Sequence, residues 1–148
     1  MSYYLLAFRP GAAPEDRADF VAWFAQVVRL RDGHLSADPT QTWAPLAAWQ
    51  RDMNREFSTR ARRPIGAPVD PDDEIMPADY RFGADIVYAR LDWRLSRKAQ
   101  LVALKLARTH MVGLFEAGGE RASVWSVTGG VFQLAHRGEA VLPGAMRA

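Results

Sequence analysis

Two short apolar runs constrain this chain most. Tyr3 to Phe8 (YYLLAF) and Ala84 to Trp93 (ADIVYARLDW) are rich in aromatic and branched residues, and Pro10-Gly11 ends the first. In the second, Ile86, Tyr88 and Arg90 share one face, and Val87, Ala89 and Leu91 share the other. The first is nearly continuous, the pattern of a strand covered on both faces or nearly so. Such strands need a sheet with other elements packed over it.

Helical patterns supply the cover. Pro14 to Leu30 reads as a helix, with Pro14 at its first position and Glu15 and Asp16 in the first turn, where the dipole favours acid. Phe20, Trp23, Phe24, Val27 and Val28 form one apolar stripe, and Arg29, Arg31 and Gly33 suit the exit. His34 to Gln41 reads as a loop. A second helix is expected from Thr42 as N-cap to about Phe57, with Pro45 in its first turn. It would bury Leu46, Trp49, Met53 and Phe57 and set Arg51 and Arg55 on another face. A third, capped by Ser96, is expected over Arg97 to His110, with Leu101, Val102, Leu104 and Leu106 as its apolar content and Gly113 at its exit. Leu114 to Glu116, Ala122 to Val127 and Val131 to Leu134 read as short closing strands, turned at Gly118-Gly119 and Gly129-Gly130.

The expected order is β-α-α-β-α-β-β-β. This predicts an α+β sandwich, ferredoxin-like in arrangement, with a mixed sheet, helices on one face and an antiparallel extension at the end. At 148 residues the chain suits one domain, expected over residues 1–137, with 138–148 as a loose tail.

Composition removes several classes of function. The chain has no cysteine, so disulfides, thiolate catalysis and cysteine-bound metals are excluded. All but two of its 19 basic residues are arginine, yet the formal net charge is only +2, which gives no overall bias toward nucleic acid or membrane. The N-terminus lacks a basic region and a long apolar run, and no apolar stretch reaches about 18 residues. A cytoplasmic protein with no membrane partner is the expectation.

Charge is patterned locally. Val69 to Tyr80 (VDPDDEIMPADY) carries Asp70, Asp72, Asp73, Glu74 and Asp79 and no basic residue. Upstream lie Arg51, Arg55, Arg60, Arg62 and Arg63, and the linking segment Thr59 to Ala78 is proline-rich. A long irregular connection of this kind is often functional. The arginines could meet phosphates, but Asp52 and Glu56 sit among them and the acidic run follows, so nucleic acid is not the expected partner. The two patches could also neutralise each other. DPDDE lacks the spacing of a calcium loop, and His34, His110 and His136 show no metal-ligand spacing, so no metal site or other cofactor is expected. His110 suits a helix C-terminus on dipole grounds. No phosphate loop and no nucleophile elbow is present. Glu116 is the sharpest candidate for a general base, although its alternation with Phe115 also suits a solvent-facing strand position. Tyr88 and Arg90 could line a pocket or an open sheet face, with Asp85 and Asp92 at the strand ends.

Three segments carry a resemblance: MSYYLLAFRPGAAPEDRADFVAWF, DYRFGADIVYARLDW and HMVGLFEAGGERASVW. Together they resemble small uncharacterised bacterial proteins that open on a SYDL-type strand and an acidic-capped helix, and that look like stand-alone immunity proteins of polymorphic toxin systems. Tyr4 departs from that pattern by replacing an acidic residue, and so does the arginine-rich segment before the acidic run. The resemblance carries over no catalytic residues. With no assembled catalytic motif and an acidic loop suited to a basic cleft, the leading expectation is a non-enzymatic protein-binding module, an immunity protein that occludes a toxin domain. On that reading Asp70, Asp72, Asp73, Glu74 and Asp79 are the contacts, with Trp43 and Tyr80 as aromatic anchors. The alternative from the residues is a small-molecule-binding protein or cofactor-free enzyme of the dimeric ferredoxin-like type. It requires Tyr88, Arg90, His110, Glu116 and Trp125 to converge on a pocket.

Overall fold

A computed structural model describes residues 2–29, 36–57 and 77–140. Strand β1 (Ser2–Phe8) leads through a short turn to helix α1 (Arg17–Arg29), and helix α2 (Ala44–Glu56) follows. Strands β2 (Asp79–Phe82) and β3 (Ile86–Asp92) precede helix α3 (Ser96–His110), and β4 (Gly113–Phe115), β5 (Val124–Thr128) and β6 (Val131–His136) complete the fold. The strands form one sheet in the order β2-β3-β1-β4-β5-β6.

This is an α+β sandwich. The β2-β3-β1-β4 order, with helices between β1 and β2 and between β3 and β4, is the ferredoxin-like arrangement, and the β5–β6 hairpin extends it. Three features differ from expectation. The sheet is antiparallel throughout rather than mixed, because β1 and β2 are each antiparallel to β3 and so run parallel without being neighbours. Among the described residues there is one strand more than expected: the tetrapeptide DYRF pairs with β3, Asp79 opposite Arg90 and Phe82 opposite Val87. The helices lie on both faces rather than one.

Strand alternation explains the two faces. Tyr3, Leu5 and Ala7 of β1 and Val87, Ala89 and Leu91 of β3 pack with Leu46, Trp49 and Met53 of α2 and Ala99, Ala103 and Ala107 of α3. Leu6, Phe8, Ile86, Tyr88 and Phe115 point the other way and pack with Phe20 and Phe24 of α1. The near-continuous apolar run of β1 is thus covered on both sides. At the start of α1 the cap is Asp16, whose carboxylate accepts from the Asp19 amide at 3.1 Å, and Pro14 lies outside the helix. Thr42 does not cap α2: its hydroxyl donates to the Gly83 carbonyl at 2.7 Å.

Helix α3 buries a stripe of alanines at four-residue spacing, not its leucines. Ala99, Ala103 and Ala107 face the sheet, while Leu101 is 62% exposed. Small side chains let the helix lie close to the strands, and Val102, Leu104 and Leu106 flank the contact. Trp49 ties α2 to this helix by donating from Nε1 to the Ala103 carbonyl at 3.2 Å. The helix ends at Met111, with φ of 55°, so the left-handed residue is not Gly113, which belongs to β4.

Candidate functional site

Alternation along β4 turns Leu114 toward α2 and α3, Phe115 toward α1 and Glu116 back toward α3. The chain then reverses through Gly118 and Gly119. The Gly118 amide donates to the Tyr4 carbonyl at 2.9 Å, and the Glu116 amide donates to the Ser123 carbonyl at 2.9 Å. That closed turn, with Ala122 at φ 42°, carries the chain back so that Ser123 and Trp125 stand beside Glu116.

Glu116 is only 5% exposed, so it is not the solvent-facing strand residue that alternation alone allows. Gln100 of α3 donates from Nε2 to its Oε1 at 3.2 Å. Burial pushes the Glu116 pKa up, since a desolvated carboxylate is costly. Gln100, Trp125, Arg137 and Ser123 act against that rise by favouring the charged form. The Trp125 indole N–H is buried and makes no formed hydrogen bond, although it lies near enough to Glu116 to assist the carboxylate. Burial raises the Tyr3 phenol well above its ordinary range, and the neighbouring Glu116 charge adds to the effect.

A cavity of about 480 Å3 opens over these groups. Glu116, Ser123 and Tyr3 are its buried floor, Trp125, Leu104 and Ser96 its half-buried walls, and Arg97, Arg121 and Arg137 its exposed rim. Pockets of roughly 300–1,000 Å3 with apolar walls and a few convergent polar groups are the usual form of small-molecule sites.

Of the five residues expected to converge, Glu116 and Trp125 do so. Tyr88 lies under α1, stacked on Tyr4 with ring centroids 5.6 Å apart. Arg90 is exposed and reaches Asp79 at 4.0 Å. His110 is at the far end of α3, where Nε2 meets Asp52 Oδ2 at 2.7 Å. Those three side chains therefore do not line the cavity that Glu116 and Trp125 share. Gln100, Ser123, Tyr3 and the three rim arginines escaped sequence reasoning. One signal was present: Ser96, Gln100 and Leu104 recur every fourth residue, a second stripe beside the alanine stripe.

Of the proposed partner contacts, Asp70, Asp72, Asp73 and Glu74 lie outside the described residues, as do Arg60, Arg62 and Arg63. Asp79 engages Arg81 at 3.4 Å as well as Arg90. Tyr80 is not a surface anchor: it is 4% exposed, and its hydroxyl donates to the Phe57 carbonyl at 2.9 Å. Trp43 is half-buried, with the Arg9 guanidinium 5.0 Å over its ring. The start of the expected loose tail is tied down, since the Gly138 amide donates to the Arg121 carbonyl at 2.8 Å. Among the described residues, no helix is long and apolar enough to cross a membrane. No protein-family model, curated protein or solved structure matches the chain.

Proposed function

We propose that this protein binds a small molecule in the cavity above Glu116. One observation carries the reading: a carboxyl that is 5% exposed, hydrogen-bonded to Gln100, forms the floor of a 480 Å3 cavity instead of being packed over. A carboxyl needed only to hold the fold would be enclosed by its partners, because buried charge is costly. At the base of an open cavity the carboxyl borders the space that a ligand would fill. Perturbed titratable groups in concave sites are functional candidates for this reason. The occlusion of a toxin by the acidic segment rests on sequence pattern, and no observation among the described residues favours it.

Ligand-observed NMR against a fragment library tests the reading. Fragments should bind the wild type and lose binding in Ser123→Leu, which fills the floor. A library that yields no fragment sensitive to that substitution refutes it.

A further inference from the structure

Resting on the reading that this cavity holds a small molecule, we infer that the ligand is an ω-amino acid: a cationic amine and a carboxylate at opposite ends of an apolar spacer. The cavity is charged in two layers. Its floor offers the Glu116 carboxyl, with the Ser123 hydroxyl beside it. Its rim carries Arg97, Arg121 and Arg137 against one acidic residue, Glu120, so the mouth is positive overall. Several basic groups elsewhere in the fold are engaged. Arg94 bonds Asp92 at 3.0 Å, Lys98 bonds Glu56 at 3.6 Å and Arg55 bonds Asp52 at 3.3 Å. Among the described residues, none of the three rim arginines closes an ion pair.

A ligand with only a carboxylate would meet the rim but set a second anion above Glu116. A ligand with only an amine would meet Glu116 but have to pass, and stay beneath, three guanidiniums. A two-ended molecule meets both layers. Guanidiniums bind carboxylates through a planar fork, which suits the rim to an acid. Trp125, Trp93 and Leu104 add apolar surface to the lining. A volume of about 480 Å3 has room for an aromatic ring between two polar ends.

The probe is 4-(aminomethyl)benzoate, compared with its halves, benzylamine and benzoate, by isothermal titration calorimetry and Trp fluorescence. The two-ended probe should bind at least about tenfold more tightly than either half, and less tightly at high salt. Glu116→Gln should remove its advantage over benzoate. The Arg97→Gln, Arg121→Gln, Arg137→Gln triple variant should remove its advantage over benzylamine. The triple variant changes only exposed side chains, so it keeps the test intact should Glu116→Gln not fold. Either half binding as tightly as the whole overturns the ligand class. So does the absence of binding by all three probes. The fragment screen separates the two readings: fragments displaced by Ser123→Leu leave the cavity assignment standing after the ligand class has fallen, and their absence removes both.

Discussion

Replacing Gly113 by alanine should destabilise the protein through one steric contact. Gly113 stands opposite Phe8 in the β1–β4 ladder. A Cβ built there would press on Cε2 and Cζ of the Phe8 ring and lie 2.7 Å from its Cε1, where carbon atoms normally approach no closer than roughly 3.5 Å. The backbone of Gly113 lies outside the left-handed region, so alanine meets no conformational penalty. The Phe8 ring is 1% exposed and held by Phe20 and Trp23, with centroids at 5.5 and 6.1 Å, so it has nowhere to move. Overpacking of this kind costs about 1–3 kcal/mol. At about 3 °C per kcal/mol for a chain of this size, the upper end is roughly 9 °C in Tm. Urea unfolding of the wild type, Gly113→Ala, Phe8→Leu and the double variant gives the cycle. If the ring is the obstacle, the double variant costs at least about 1 kcal/mol less than the sum of the singles. Additivity within about 0.5 kcal/mol would refute the steric argument and place the requirement for glycine elsewhere.

The acid-range stability should carry the signature of Glu116. Its folded pKa is raised above the ordinary 4.5, so the folded state holds this proton longer than the unfolded chain. The stabilisation is fully present below the unfolded value and is lost as pH rises through the folded one, so the stability of wild type relative to Glu116→Gln should fall across that window. A pH-independent difference in urea midpoints would show that burial does not perturb the group. Along α3, Ala103→Leu should cost about 1–3 kcal/mol, because Ala103 is 0% exposed against the sheet. Leu101→Gln should change stability by no more than about 0.5 kcal/mol. The opposite ranking by thermal melts would mean that α3 presents its leucine face.

Legibility in the sequence followed the strength of the periodic signal. The alternation in β3 and the unbroken apolar run of β1 placed both strands and assigned the two faces of β3, because a period of two leaves one register that buries every apolar residue. Helix α1 was equally legible from Phe20 and Phe24. Strand β2 was not, since four residues with Arg81 between Tyr80 and Phe82 look like the end of the preceding loop. Sheet direction was hidden because neighbour relations are set by chain contacts distant in sequence. The leucines of α3 misled because hydrophobicity outranks size in a periodicity argument, whereas close helix-on-sheet packing selects for small residues. Glu116 stood out by its place next to a glycine turn. Its partners Gln100 and Ser123 could not be named, because they meet it only once α3 crosses β4.

The position of the cavity follows from the ratio of helices to strands. Neighbouring strands lie about 4.8 Å apart, so β2, β3, β1 and β4 span about 14 Å. Two helices packed at roughly 8–10 Å cover that width. Helices α2 and α3 therefore roof the four-stranded part of the sheet, and β5 and β6 continue past the flank of α3. The uncovered part is tiled by Trp125 and Phe132, whose rings stack with centroids 6.0 Å apart and planes 7° from parallel. A step results where the helical layer stops. One side of that step must be the outer flank of α3, which is Ser96, Gln100 and Leu104, and the other the strand surface at the β4–β5 junction, which is Glu116, Ser123 and Trp125. Among the described residues no helix covers the β5–β6 pair on this face, which leaves the edge open. The buried carboxyl sits at the base of that edge, among the residues that line the cavity.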